Sequence, residues 1–396
     1  MIYLDNNATT PTDPRVLETM LPYFYEQPGN AASRSHPFGW VATEAVDLAR
    51  EQVAQLLGAE TREIVFTSGA TESINLALKG VFEMYHRKGK HIITVQTEHK
   101  AVLDTCQYLE KRGGEITYLT VDAMGLIDLG ALEAAIRPDT ILVAIMWANN
   151  ETGVLQPMQA IGEICDRHGV LLMSDATQTV GKMPVLPKTV GVHLLAFSGH
   201  KIYGPKGVGG LFVSQRAPRV RLTAQMDGGG HEYGFRSGTL NVPGIVGMGK
   251  AMALAAEEMP AESIRLKKWR DQLENTLLTS LEAVQLNGHP DQRMPQVTNI
   301  SFSCVDAEGL MATFNRHIAV SAGSACTSAN PAPSHVLMGM GLGKNRATSS
   351  LRFSFGRFNT EEDVETVIKA VTEGVLRLRD QNPIWELFQE GIDMEA

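Results

Sequence analysis

Val170-Leu-Leu-Met-Ser-Asp-Ala-Thr-Gln178 and Val192-His-Leu-Leu-Ala-Phe-Ser-Gly-His-Lys201 share one design: a short apolar run that stops on polar, reactive side chains. The design repeats upstream. Glu63-Ile-Val-Phe-Thr67 leads into Ser68-Gly-Ala-Thr71-Glu-Ser73, His91-Ile-Ile-Thr-Val95 into Glu98-His99, and Thr140-Ile-Leu-Val-Ala-Ile-Met146 into Asn149-Asn150-Glu151. Segments of helical period separate the runs, among them Lys100–Lys111 and Met158–His168, the second closed by Gly169 as a C-cap glycine would close it. β-branched apolar runs alternating with helices predict an α/β domain around a mainly parallel central sheet.

After Pro243 the texture changes. An Ala/Glu/Leu/Arg-rich helical stretch runs to about Val284 with Pro260 as its interruption; strands at Val297–Ser303 and Ser350–Phe355 and a helix from Thr360 to about Asp380 follow. This predicts a large domain over residues 15–258 and a smaller α+β domain assembled from 1–14 and 259–396. A chain of 396 residues, 43% hydrophobic and 20% charged, suits a soluble protein of two or three domains. Its 35 Lys+Arg against 44 Asp+Glu, a formal charge of −9, speak against direct nucleic-acid binding and against an anionic membrane surface. The longest apolar run, Ile141–Ala148, is far below the roughly 20 residues of a membrane span. Met1-Ile-Tyr-Leu-Asp-Asn-Asn-Ala-Thr-Thr10 lacks the basic and apolar regions of a secretory signal. Four cysteines make no disulfide framework, and the expected compartment is a reducing cytoplasm.

Ligands of open parallel sheets bind outside the carboxyl ends of the strands, so His99, Asn150, Asp175, Gln178, Ser198, His200 and Lys201 are predicted on one rim. Ser68-Gly-Ala70-Thr71 opening a helix offers free N–H groups and a hydroxyl to a phosphate. Asp175 at a buried strand end needs a cation, which a protonated pyridine nitrogen supplies. Lys201 can form a Schiff base and act as a proton-transfer base. Together they describe a pyridoxal-phosphate site, with His99 over the ring. Gly244-Ile-Val-Gly-Met-Gly-Lys-Ala251 nearly fits a phosphate loop, but Ala251 lacks the metal-holding hydroxyl, and the segment reads as the start of the long helix. His99 with Cys106, and His231-Glu232, lack metal-ligand spacing, so no metal site is expected. Cys106, Cys165 and Cys304 read as buried, inert thiols. Cys326 lies in Ser321-Ala-Gly-Ser-Ala-Cys-Thr-Ser-Ala-Asn-Pro331, which has no large apolar anchor and suits an accessible, reactive thiol. A sulfur nucleophile beside such a site points to chemistry on a sulfur amino acid.

Nearly end to end, the chain resembles the group I cysteine desulfurases, the IscS/NifS type within the class V aminotransferase branch of fold-type I pyridoxal-phosphate enzymes. The resemblance rests on Tyr3-Leu-Asp-Asn-Asn-Ala-Thr-Thr-Pro11, Phe66-Thr-Ser-Gly-Ala-Thr-Glu-Ser73, Thr97-Glu-His99, Asn149-Asn-Glu-Thr-Gly153, Asp175-Ala-Thr-Gln178, Ser198-Gly-His-Lys-Ile-Tyr-Gly-Pro-Lys-Gly207, Arg236-Ser-Gly-Thr239, Gly323-Ser-Ala-Cys-Thr-Ser328 and Arg352-Phe-Ser-Phe355. Asn30-Ala31, Ala322 and His193 depart from the usual pattern without removing a chemical group.

The resemblance implies that Lys201 holds the cofactor, Asp175 pairs with its ring nitrogen, Gln178 bonds its phenolic oxygen and His99 stacks on the ring and assists proton transfer. It implies that Ala70, Thr71, Ser198 and His200 bind the phosphate, with Thr239 reaching the phosphate of the other subunit of a homodimer. Asn150 and Arg352 would hold the carboxylate of L-cysteine, Arg352 as a bidentate clamp. Cys326 would take the sulfur as a persulfide, leaving alanine, and would pass it to iron–sulfur scaffold proteins and other acceptors such as those of tRNA thiolation, with Cys326 as a transient iron–sulfur ligand. An aminotransferase, a selenocysteine-specific lyase and a non-catalytic sulfur relay are the rival readings; Cys326 argues against the first two and Lys201, Asp175 and His99 against the third. The basic cluster Arg216-Ala-Pro-Arg-Val-Arg221 and the aromatic tail Trp385-Glu-Leu-Phe-Gln-Glu-Gly391 are expected to serve acceptor proteins.

Overall fold

The computed structural model describes residues 1–216, 219–322 and 333–390. Among them a seven-stranded sheet runs in the order Ile64–Thr67, Gly209–Val213, Leu194–Ser198, Leu171–Asp175, Thr140–Ala144, His91–Val95, Glu115–Leu119. All pairings are parallel except the two made by Gly209–Val213, which runs against both neighbours. The inner strands are mostly apolar because both faces are covered, while the edge strand Glu115–Leu119 stays partly exposed. One face packs Phe66, Val143, Leu172 and Phe197 against the helices Pro37–Leu57 and Met158–His168; the other packs Ile92, Leu142, Met173 and Ala196 against Ala70–Met84 and Lys100–Glu110. Gly209 is glycine because a Cβ there would lie 2.6 Å from the Cα of Gly69. That approach brings the first turn of Ala70–Met84 against the strand end at Ser198.

The helix Val242–Ser280 is continuous across Pro260 rather than interrupted by it. Its first half adds Val242, Ile245, Met248 and Met252 to the large core, and its second half adds Leu266, Trp269, Leu273 and Leu277 to a separate core. Burial at both ends holds the helix through a proline that sits exposed between them. The second core lies on a four-stranded antiparallel sheet, ordered Ser321–Ala322, Ser350–Ser354, Val297–Phe302, Val284–Leu286, and on the helix Glu361–Asp380. The chain's beginning joins it: Ile2–Tyr3 pairs in parallel with Ile318–Ala319, and Leu4 is buried among Phe302, Phe353 and Val364.

The tail differs from its sequence reading. Pro383–Gln389 forms a further helix, because Asn382 caps it and Pro383 occupies its first position. Trp385 stacks on Phe388 with ring centroids 5.4 Å apart and carries the Arg379 guanidinium 4.1 Å from its own centroid. Asn382 Nδ2 ties the same corner to the carbonyl of Cys304 at 2.8 Å. Cys304, expected to be buried, is only half-buried, on a backbone with φ of 62° that turns it out of the strand.

Candidate active site

The carboxyl ends of Ile64–Thr67, His91–Val95, Thr140–Ala144, Leu171–Asp175 and Leu194–Ser198 open onto one cavity of about 710 Å³. Its wall brings together Ala70, Thr71, His99, Asn150, Asp175, Gln178, Ser198, His200, Lys201 and, from the other sheet, Arg352. Thr239 is exposed and is not part of this wall, and Cys326 lies outside the described residues.

Local structure explains each placement. Asn149 folds its own turn, its Oδ1 accepting from the N–H groups of Glu151 and Thr152 at 2.8 and 3.0 Å, and this presents Asn150 to the cavity. Asp175 ends its strand with Oδ1 accepting from Thr177 N at 2.9 Å. His99 caps the helix Lys100–Glu110, its Nδ1 accepting from Ala101 N at 3.1 Å, so the neutral ring carries its proton on Nε2. The N-terminus of Ala70–Met84 has no side-chain cap, which leaves N–H groups and the positive end of a 15-residue helix dipole at the cavity.

The cavity wall mixes charges, with Lys201, Lys206 and Arg352 facing the carboxylates Asp5, Glu72, Glu151 and Asp175. Burial, and then Arg352, push the Lys201 amine down to about 8. Burial and Lys201 hold His200 down at about 4, so its imidazole is neutral at pH 7. Lys182, one turn beyond Gln178, is pushed down to about 7 by burial and by Lys201. On the acidic side, burial lifts Glu151 to about 7, its Oε2 taking a short hydrogen bond from Ser334 Oγ. Burial raises the wholly enclosed Glu98 well above the usual carboxylate range; its Oε1 accepts from Met146 N at 2.5 Å and its Oε2 has no partner among the described residues.

The strand ends left one part of the wall unannounced: the N-terminal segment Asp5–Thr10. The Asn7 carbonyl accepts from Lys201 Nζ at 2.5 Å and from Gln178 Nε2 at 3.0 Å, and the Ala8 carbonyl accepts from Lys201 Nζ at 2.8 Å. Asn7 also receives Gln296 Nε2 at 3.3 Å, donates to the Asn150 carbonyl at 3.1 Å, and takes Ser354 Oγ on its own N–H at 2.9 Å. Thr9 Oγ1 meets His200 Nδ1 at 3.0 Å. Asp5 Oδ1 accepts from Arg352 Nη2 at 2.6 Å and from Ser321 Oγ at 2.8 Å, while Arg352 Nη1 donates to the Asn150 carbonyl at 3.0 Å. Arg352 is therefore not an open fork: one arm already holds a carboxylate. The signal in the sequence was the polar run Asp5-Asn6-Asn7 directly after the apolar Ile2-Tyr-Leu4.

Pyridoxal phosphate fits these residues. The uncapped helix end with Lys206 and Ser198 suits a dianion, Asp175 suits a ring nitrogen, and the buried Thr177 hydroxyl in the cavity wall has no hydrogen-bond partner among the described residues. Cys106 and Cys165 are unsuited to transfer, since burial pushes both up to about 12.

The family model described as aminotransferase class-V matches residues 2–367. Over its whole length the chain is 55% identical to the cysteine desulfurase IscS of Pectobacterium carotovorum subsp. carotovorum (strain PC1), covering 98% of that protein. It is also 55% identical to the cysteine desulfurase IscS of Klebsiella pneumoniae (strain 342), with 100% of this chain and 98% of that protein covered. A solved NifS-like protein superimposes with a TM-score of 0.87 at 38% identity, over 94% of this chain and 98% of that one.

Proposed function

This chain belongs to the class V aminotransferase family, and from that premise we infer that it is a pyridoxal-phosphate-dependent cysteine desulfurase. It removes sulfur from L-cysteine, leaves L-alanine, and holds the sulfur as a protein persulfide for acceptor proteins. The observation that carries the reading is the convergence of Lys201, Asp175 and the uncapped end of Ala70–Met84 on one cavity with Asn150 and Arg352. When bound, the cofactor supplies an electron-withdrawing ring that acidifies the substrate Cα and weakens its C–S bond.

The residues take these roles in our reading. Lys201 anchors the cofactor and moves the Cα proton; an amine lowered to about 8 is matched to that work near neutral pH. Asp175 meets the ring nitrogen and Gln178 the phenolic oxygen. Ala70, Thr71, Ser198 and His200 take the phosphate at the helix end. His99 would stack on the ring and supply a proton from Nε2, because Nδ1 is committed to the cap. Asn150 and Arg352 orient the substrate carboxylate. Cys326 attacks the substrate sulfur as a thiolate: an S–S bond forms, the C–S bond breaks, and its electron pair ends as a C–H bond of alanine.

Beyond the activity, we assign the large domain to residues 15–258 and the small one to 1–14 and 259–396. The working unit is a homodimer in which Thr239 reaches the other subunit's phosphate. The exposed Phe24, Tyr25, Phe38 and Trp40 support a subunit contact beside the large domain. The enzyme works in the cytoplasm, binds neither nucleic acid nor membrane directly, and delivers sulfur to iron–sulfur scaffold proteins and other acceptors such as those of tRNA thiolation. The test is Cys326→Ser in the purified holoenzyme. Turnover of L-cysteine to alanine should fall to near zero while the cofactor's absorbance and its change on adding L-cysteine persist. Mass spectrometry of the wild-type protein should find the extra sulfur on the peptide containing Cys326. Sulfur recovered on Cys106, Cys165 or Cys304 instead would reassign the carrier.

A further inference from the structure

The carboxylate on Arg352 has a consequence for substrate choice. Asp5 follows the strand Ile2–Tyr3 and stands beside Ser354, so its backbone is fixed by two sheets. Its Oδ1 is shared between Arg352 Nη2 and Ser321 Oγ, and Ser321 Oγ also accepts from Arg352 Nη2 at 3.1 Å. Among the described residues, the partly exposed Asp5 carboxylate is bonded through Oδ1 alone, and the buried Nε of Arg352 has no partner. Asp5, Arg352, Asn150 and Lys201 line the same cavity, and Asp5 is near enough to Lys201 to favour the charged form of its amine.

A ligand carboxylate that approaches Arg352 therefore meets a guanidinium whose charge is already balanced, and a second carboxylate within a few ångströms. Two like charges at that spacing repel strongly in a partly buried site. An α-amino acid avoids this conflict. Its ammonium sits on the atom next to its carboxylate, so the zwitterion offers Arg352 an anion and Asp5 a cation together. Lys201, the amine that the substrate's own amine must approach, stands in the same wall.

Resting on the desulfurase reading above, we propose that Asp5 is a specificity-determining residue: its carboxylate, held on Arg352, makes the pocket select the zwitterionic α-amino acid and reject a carboxylate that lacks the amine. Asp5 binds and orients and takes no part in bond-making.

The experiment compares two ligands on the holoenzyme by titration calorimetry: L-alanine, a zwitterion, and 3-mercaptopropionate, which keeps the thiol and carboxylate and lacks the amine. Asp5→Asn and Asp5→Ser remove the charge, and Asp5→Glu keeps it. In the neutral variants 3-mercaptopropionate should bind about 10–100-fold tighter, while L-alanine binds no tighter or more weakly. Asp5→Glu should keep most of the wild-type preference. A merely structural Asp5 would shift both ligands by the same factor in all three variants, and that result overturns the proposal. Two neutral variants guard against one that folds poorly, which the cofactor absorbance of each would report. Failure of the underlying reading looks different: wild-type holoenzyme would then neither bind L-alanine nor make it from L-cysteine.

Discussion

Arg50 and Arg352 are both buried, both face a carboxylate, and use it differently. Arg50 meets Glu232 through two parallel contacts of 2.8 and 2.6 Å, and their side chains are 8% and 1% exposed. Everything around that pair is satisfied: Arg50 Nη1 donates to the Ile64 carbonyl at 2.7 Å, Phe66 N donates to Glu232 Oε2 at 2.7 Å, and the guanidinium lies 4.5 Å from the Phe66 ring centroid. Arg352 meets Asp5 through one contact and keeps a buried Nε without a partner among the described residues. A saturated pair has no capacity left for a ligand. A pair with unused donors and acceptors costs stability to keep, which is the signature of a site.

The saturated pair should give the largest change in stability. It holds Glu232 and Tyr233 at φ of 48° and 59°, a region that non-glycine residues adopt at a cost. Glu232→Gln leaves the Arg50 charge without its counter-ion, and we expect a loss of about 3–5 kcal/mol in urea unfolding. Activity per folded, cofactor-loaded molecule should stay close to wild type. A loss below about 1 kcal/mol would mean that solvent reaches the pair.

Arg352→Gln should reverse that pattern. The substrate carboxylate loses a charge-assisted partner worth about 1.5–3 kcal/mol, so kcat/KM for L-cysteine should fall by about 10–150-fold. Stability should fall by less than in Glu232→Gln, because Arg352 meets Asp5 through one contact rather than two and the partly exposed Asp5 keeps Ser321 Oγ. Urea unfolding of the same samples checks this half; a drop comparable with Glu232→Gln would make the Arg352–Asp5 pair a brace rather than a site.

How much of this was legible follows from how each contact is made. Five of the seven strands were legible because burial on both faces forces apolar runs such as Leu194–Ser198, and their polar ends had to gather on one rim; the partly exposed edge strand Glu115–Leu119 and the antiparallel Gly209–Val213 were not. The role of Asn7 was not, because Lys201 and Gln178 reach its backbone carbonyl, and a carbonyl has no letter in the sequence. Asp5 was visible as a residue but not as a partner, since the pairing with Arg352 depends on Ile2–Tyr3 joining Ile318–Ala319 from the far end of the chain. Pro260 misled in the opposite direction: local propensity argued for a break, and two cores on either side hold the helix through it. The tail helix was missed because Trp385 looks exposed until Arg379 is placed over it, while Phe388 does stay exposed.

Lys182 is the opposite limit to Arg50, a buried cation with no carboxylate in contact among the described residues. Its Nζ reaches only Gln178 Oε1, at 3.4 Å. Burial and Lys201 bring its amine from an ordinary 10.5 down to about 7, with Glu262 opposing them. The sign of the linkage is then fixed. Between pH 7 and 10.5 the unfolded chain binds a proton at this position that the folded chain does not, so this group makes stability rise with pH across that window. The slope from one such group is at most about 1.4 kcal/mol per pH unit. Below about pH 7 both states are protonated, and the cost of burying the charge is constant. Lys182→Met keeps the length of the side chain and removes the titration. It should therefore be more stable than wild type at pH 7, with the advantage shrinking steadily toward pH 9.5 when urea midpoints are compared for the two holoenzymes. An advantage that stays constant with pH would assign the effect to packing rather than charge. A variant less stable than wild type at pH 7 would show that the hydrogen bond to Gln178 outweighs the cost of the buried cation.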